Sequence, residues 1–344
     1  MAPDIYTRRR RNGSVTAVTD AETLSGARGW LGAIRRHQST VGPWVILLLL
    51  VVVSTLISPD FLSTTNLLNI LRQAAPLMIV ALGQTLVILV GGIDVSVGAL
   101  IATTTVIGGS LMRDSDALIL PTVLIVIGVG VVVGLIHYVF IVRFRTDALV
   151  TTLGTMLILT GLNLIYTGGA PRSNVPDLFR QLSEGRLIGV PIIVIIALAL
   201  AAALAYGLHR STFGRRVYAV GSNRSAARLA GIRAHRVEGL AYVACSILAV
   251  LAGLALLARI GTGDTAAGEG MELDSIAAVL IGGTAFGGGK GRIEGTVAGV
   301  LILTVLFNIF NLMGISRFAH LIVKGVVVIV GVALYSTRPR RGRG

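Results

Sequence analysis

Long apolar runs separated by short polar breaks fill the chain from Val41 onward. The first run covers 41–57 and ends at Ser58-Pro59-Asp60. The second, 67–90, contains Pro76 and Gly83, which predict a kink. Further runs cover 95–112, 119–142, 148–166 and 190–208, broken at Arg113–Asp116, at Arg143–Arg145 and by the polar stretch 168–189. A longer polar segment, 210–236, precedes runs at 237–257, 273–285, 293–312 and 318–335. Apolar runs of about 20 residues predict membrane-spanning helices. The pattern therefore predicts an all-α polytopic membrane protein of about ten transmembrane helices. The run at 273–285 is short and leads into Gly287-Gly288-Gly289-Lys290-Gly291-Arg292, and glycines also border the second and third runs. One or more helices are thus expected to be interrupted or re-entrant.

The stretch Gly91-Gly92-Ile93-Asp94-Val95-Ser96-Val97-Gly98 sets a carboxylate and three glycines between two apolar runs. An Asp at the centre of a membrane helix costs about 2.5–3.5 kcal/mol. Irregular backbone at membrane depth persists only where protein or a water-filled cavity covers it. Two readings of equal weight follow from these residues alone. One is a buried functional site, the other a cytoplasmic turn with Asp94 in solvent.

Composition agrees with the membrane reading. Of 344 residues 54% are hydrophobic and 13% charged, and the mean hydropathy is +0.84; soluble domains carry about 25% charged residues. The net charge of +14 is not arranged as a nucleic-acid face. With an even number of spans and both termini cytoplasmic, the basic residues of the N-terminal tail, Arg143 and Arg145, the 210–236 segment, Lys290 and Arg292, and the C-terminal tail all lie inside. Together they are 22 of the 30 Lys and Arg residues. That is the positive-inside distribution of a protein of the cytoplasmic membrane. Residues 1–40 read as a basic cytoplasmic tail resting on anionic lipid, residues 41–337 as the transmembrane domain, and 338–344 as a second basic tail. The one cysteine, Cys245, and five separated histidines offer no disulfide framework and no metal-ligand spacing.

Little in the chain points to catalysis. Gly282 to Gly291 resembles a phosphate loop only at Gly289-Lys290; Thr284 stands where its first glycine belongs, and Gly291 replaces the Ser/Thr. No nucleotide site is expected on this chain, and no catalytic constellation stands out. Glu272 and Asp274 suit the N-terminus of a helix. Within 210–236, Ser222 or Asn223 can cap a short helix that Gly231 stops. Ala226, Ala227, Leu229 and Ala230 would give it a small apolar face beside Arg224 and Arg228. Such a helix docks in a partner's groove or lies on the membrane surface.

Several motifs, in matching order from about Val41 to Tyr335, resemble the ribose/xylose-type ABC transporter permeases. The Gly91–Gly98 stretch is similar to their GGIDLSVG signature, and Thr152-Leu153-Gly154-Thr155-Met156 to their TLGTM. Thr212-Phe213-Gly214-Arg215 through Ala219-Val220-Gly221-Ser222-Asn223, then Ala226-Ala227-Arg228-Leu229-Ala230-Gly231, is similar to their cytoplasmic loop. Met271 through Gly282-Gly283-Thr284, Gly287-Gly288, Gly295-Thr296, Asn308 and Val323-Lys324-Gly325 resemble their last long block. The resemblance implies a pathway subunit of a monosaccharide importer that carries no cofactor, with ATP bound by partner subunits. It implies a second permease chain, two cytoplasmic ATP-binding subunits and an extracytoplasmic sugar-binding protein. It also implies gating or translocation roles for Gly91, Gly92, Asp94, Ser96, Gly98, Thr155, Gly282, Gly283, Thr284 and Asn308. ATPase coupling would fall to Phe213, Gly214, Arg215, Asn223, Ala226, Ala227, Arg228 and Gly231.

The chain departs from that pattern at three places. Ala148-Leu149 stand where Pro-Phe is common, His137 where an Asn is common, and Ala319-His320-Leu321 replace a Gln-rich stretch. Those departures put the substrate in question. A branched-chain amino acid or other small polar solute is the alternative cargo, and an ion-coupled carrier using Asp94 the alternative mechanism. The span count sets Asp94 near the cytoplasmic ends of the second and third spans. A structural or gating role is expected there, with Asp94 bonded to backbone donors at the start of the third span.

Overall fold

The computed structural model describes residues 41–173 and 175–316, with 318–319, 321–322 and 325–326 beyond them. Both basic tails and most of the expected tenth span lie outside these residues. The described chain is almost wholly helical. Its helices are α1 (Val41–Ile57), α2 (Thr64–Leu89), α3 (Val97–Leu111), α4 (Ile119–His137), α5 (Ala148–Thr167) and α6 (Asp177–Glu184). They continue with α7 (Ile192–Arg210), α8 (Thr212–Ser222), α9 (Arg224–Leu229), α10 (Ala234–Ile260), α11 (Met271–Ile281) and α12 (Ile293–Leu312). Among the described residues, six helices are long and apolar enough to cross a membrane: α2, α4 with its extension to Arg143, α5, α7, α10 and α12.

The expectations fail in informative places. The run at 273–285 is an 11-residue helix; at 1.5 Å per residue that spans about 16 Å, half the roughly 30 Å hydrocarbon core. α3, at 15 residues, reaches about 22 Å. Neither helix crosses by itself: α3 begins only at Val97, after the irregular 90–96 segment, and α11 stops at Gly282-Gly283. Pro76 and Gly83, where a kink is expected, both lie inside the continuous helix α2. The polar segment 210–236 folds into two helices, α8 as well as the expected α9. Helix α6 and two short antiparallel pairs also correct the all-α reading. One pair joins β1 (Arg172–Ser173) to β4 (Thr262–Gly263), the other β2 (Arg186–Leu187) to β3 (Val190–Pro191).

Burial divides the helices into a centre and a rim. The apolar window of α2 is 83% buried and those of α10 and α12 are 67%, whereas α4, α5 and α7 bury only 22–28% of theirs. The rim helices turn Leu, Ile and Val side chains outward, as lipid-facing helices do. Small residues let the centre close up. Gly130 and Gly134, four residues apart on α4, face Ser246, Val250 and Val243 of α10, where a Cβ would collide. Gly83 of α2 meets Cys245 of α10 in the same way. Buried hydroxyls and amides then tie helices together: Thr85 to Thr296 at 2.8 Å, and Asn163 to Thr103 at 3.1 Å.

The two short helices begin inside the bundle. After α2 the segment 90–96 climbs back among the helices, and Gly92 packs against the hydroxyl of Tyr242, about 12 Å along α10 from Ala234. On the other face, the chain after α10 descends along α3. Gly263 touches Thr105 and Gly109, Asp264 accepts a hydrogen bond from Thr105 (3.1 Å), and Gly268 packs on Gly98 and Ile101. α11 starts at that depth. The N-termini of α3 and α11 thus meet within the bundle, with the Glu272 carboxylate against Gly98.

Candidate functional site

Asp94 has no exposed surface. Its Oδ1 accepts the backbone N–H of Ser96 (2.9 Å) and the Ser96 hydroxyl (2.6 Å). This local Asx-type turn halts the extended segment and starts α3. The other oxygen, Oδ2, has no hydrogen-bond donor within geometric reach and faces Nδ1 of His137 at 3.4 Å. His137 is itself fully buried at the end of α4, where the backbone passes into a π-helical turn, Tyr138–Arg143. Such turns recur at functional sites. Its Nε2 lies 3.2 Å from the Thr155 hydroxyl, which donates to the Thr151 carbonyl. Both ring nitrogens therefore face oxygen. Thr152 accepts from the Val95 N–H (3.3 Å), and the His137 ring stands edge-on to Tyr242. Four elements converge here: the 90–96 segment, α4, α5 and α10. The solvated-turn reading of Asp94 is excluded, and Gly91, Gly92, Asp94, Ser96, Gly98 and Thr155 form one connected region.

A second region lies at the end of α2. The Gly289 N–H donates to the Leu89 carbonyl (2.9 Å), while Gly288 packs on Gly91 and Gly221. A Cβ on Gly221 would fall on the Leu89 carbonyl. The two glycine clusters, far apart in sequence, therefore meet, with the C-terminus of α8 between them. The Tyr218 hydroxyl donates to the Gly291 carbonyl (3.0 Å); burial, and the nearby Glu294 carboxylate, push this phenol up, so it stays a neutral donor. Here the turn that echoed a phosphate loop is filled by protein backbone.

The remaining candidates separate. Gly282 and Gly283 end α11, Gly282 by packing on the Gly295 backbone of α12 and Gly283 by a left-handed φ of 89°. Thr284 is buried beneath Gly291. Asn308 lies elsewhere: it exchanges amide hydrogen bonds with Asn66 (3.1 and 2.8 Å), closing the end of α12 onto the start of α2. That position is about 22 Å along α12 from Ile293.

In the 210–236 segment, Asn223 caps α9 through the Ala226 N–H (2.9 Å), and Gly231 ends it at φ 80°. Ala227 is buried with Val217, Val220 and Val237, and Gly214 packs on the Leu208 backbone, so these two face inward. The outward face holds Ala226, Arg228, Leu229 and Arg215, with Phe213 half-buried. Arg224 is tied to Glu238 of α10 by an ion pair.

His137 and Tyr242 are the members that sequence reasoning did not assign. The available signal was a polar ring inside an apolar run, and its partner could not be read without the packing.

Residues 66–332 match the family described as the branched-chain amino acid transport system / permease component. The chain belongs to this family. The permease is 40% identical over 316 residues to the ribose import permease RbsC of Escherichia coli K12, a match covering 90% of this chain and 97% of the relative. It is 40% identical to the Bacillus subtilis protein of the same name (86% and 92% covered). It is 32% identical to the galactose/methyl galactoside import permease MglC of E. coli K12 (87% and 95%). No solved structure matches. The permease is a multi-pass membrane subunit, not an enzyme.

Proposed function

We propose that the permease is the pathway subunit of an ATP-binding cassette importer for a monosaccharide of the ribose or galactose class. The observation that carries this reading is 40% identity with a ribose import permease along nearly that protein's whole length. ATP is hydrolysed on two cytoplasmic partner subunits, and an extracytoplasmic binding protein delivers the sugar to a pair of permease chains. About ten membrane passages, those of α3 and α11 completed by the irregular segments beside them, with both termini cytoplasmic and a domain of 41–337 flanked by two basic tails, agree with the distribution of Lys and Arg.

Gating is the role that suits the Asp94 region. A buried carboxylate held by an Asx turn and a histidine, at the point where a helix is interrupted, is costly to build, and such costs concentrate at functional and switching sites. The exposed face of α9 takes the ATPase. Each ligand shifts access only as far as it favours one state over the other.

The test is reconstitution of permease, ATPase and binding protein in vesicles. Labelled ribose or galactose should enter with ATP, stop when the ATPase is omitted and persist with a protonophore. Uptake without the ATPase that collapses with the protonophore would establish an ion-coupled carrier instead. The family description favours a second cargo, and uptake of leucine in place of sugar would select it.

A further inference from the structure

Beneath the π-helical turn that follows α4, four arginines converge on one cavity of about 520 Å³. Arg143 and Arg145 come from the end of the turn, Arg228 from α9, and Arg233 from the residue before α10; His235 completes the basic lining. Such a volume falls in the range of small-ligand sites. No carboxylate lines it. Among the described residues none of the four guanidinium groups enters an ion pair, in contrast to Arg224, which Glu238 neutralises. Arg145 has a left-handed backbone (φ 59°), a strained conformation for a side-chain-bearing residue, which folds the chain back so that it shares the cavity with Arg143.

The surroundings select the ligand. On the same turn as Arg143, Val139 and Phe140 are exposed, as is Phe144 between Arg143 and Arg145, with Phe140 and Phe144 edge to face. Glu238 acts on Arg228 and His235 only from beyond ion-pair distance, and among the described residues Arg143, Arg145 and Arg233 have no carboxylate paired with them. A cationic cavity beside an exposed apolar strip matches a molecule with an anionic phosphate head and hydrocarbon tails. Guanidinium groups bind phosphate by paired, charge-assisted hydrogen bonds, and basic pockets at the cytoplasmic rim of helices take lipid headgroups. An acidic segment of a protein partner would satisfy the arginines but leave the aromatic strip unexplained.

We propose that this cavity is a specific site for the phosphate of an anionic phospholipid, whose acyl chains lie along Phe140 and Phe144 and whose head rests beside α9.

The experiment uses the intact transporter complex purified in detergent containing equal amounts of phosphatidylglycerol and phosphatidylcholine. Bound lipid is counted by native mass spectrometry for wild type, for R143Q/R145Q/R233Q, and for R113Q/R172Q/R186Q, which removes the same charge from exposed positions in the loops at the opposite helix ends. Wild type and control should retain phosphatidylglycerol at least tenfold over phosphatidylcholine, and the first variant should lose that preference while sedimenting as an intact complex. Equal retention by all three, or equal loss by both variants, overturns the site. So does a wild-type thermal shift with inorganic phosphate equal to that with phosphatidylglycerol, which would make the ligand a free anion. Loss of the ATPase from the first variant in lipid-free detergent, with unchanged lipid retention, would assign the arginines to the protein partner.

Discussion

Tyr242 lies one helical turn beyond Glu238 on the same face of α10. Glu238 holds Arg224 of α9, and Tyr242 packs its hydroxyl on Gly92 and its ring on His137. Helix α9 and the interrupted-helix site are thus both fastened to α10, four residues apart. The contacts from α9 through α10 to Gly92 form a route that crosses no loop, along which a displacement of α9 would reach the site.

The ion pair at the head of that route should therefore matter for coupling more than for folding. Its arginine side chain is 40% exposed, so removal costs about 1–3 kcal/mol, between surface and buried pairs. In R224E the transporter should assemble, hydrolyse ATP and lose most sugar uptake. The swapped pair R224E/E238R should recover part of it. Equal uptake per ATP in R224E and wild type would remove the pair from the route.

Asp94 and His137 give a sharper contrast. Asp94→Asn keeps an acceptor for Ser96 and offers an amide to His137, so the chain should insert and melt as wild type while uptake falls more than tenfold. His137→Ala instead strands a buried carboxylate, at a cost of about 3–5 kcal/mol. Thermal unfolding in detergent should drop by several degrees in His137→Ala, and His137→Asn should restore it by donating to Oδ2. Wild-type uptake by Asp94→Asn would end the gating role.

Arg228 projects beside Leu229, which is 92% exposed, on the outward face of α9. Reversing its charge in Arg228→Glu should cut recovery of the ATPase in affinity purification several-fold without changing permease yield. Undiminished recovery would return α9 to the membrane surface.

The rim helices were legible because lipid-facing runs need only length and hydropathy; α5, α7 and α4 with its extension to Arg143 fall within two residues of the apolar runs, as does the more central α12. The interruptions were legible as glycines but not as depth. Nothing local in Gly91–Gly98 says that the chain climbs back to Tyr242, because that path is set by contacts with α10 more than a hundred residues away. Helix α8 was hidden for the opposite reason. Its sequence is polar enough to read as a loop, and it is held by Val217 and Val220 packing with Leu208 and Ile293, a long-range cluster. Motif resemblance grouped Asn308 with Asp94, whereas packing places it against Asn66.

That pairing yields a prediction of a different kind. Asn66 and Asn308 satisfy each other reciprocally, and Asn66 also donates to the Phe61 carbonyl (2.8 Å). Truncating Asn66 leaves the buried Asn308 amide without its partner, and truncating Asn308 leaves the half-buried Asn66 with only its bond to Phe61, a loss of about 1–3 kcal/mol. Asn308→Ala and Asn66→Ala should each lower the melting temperature, Asn66→Ala by more because it also loses the bond to Phe61. The double variant should cost less than the sum of the two, because the second truncation removes a group already unpaired. Uptake per folded transporter should stay near wild type in all three. A selective fall in uptake for Asn308→Ala, with Asn66→Ala unaffected, would show that Asn308 touches the cargo. It would then belong to the pathway rather than to the clamp between α2 and α12.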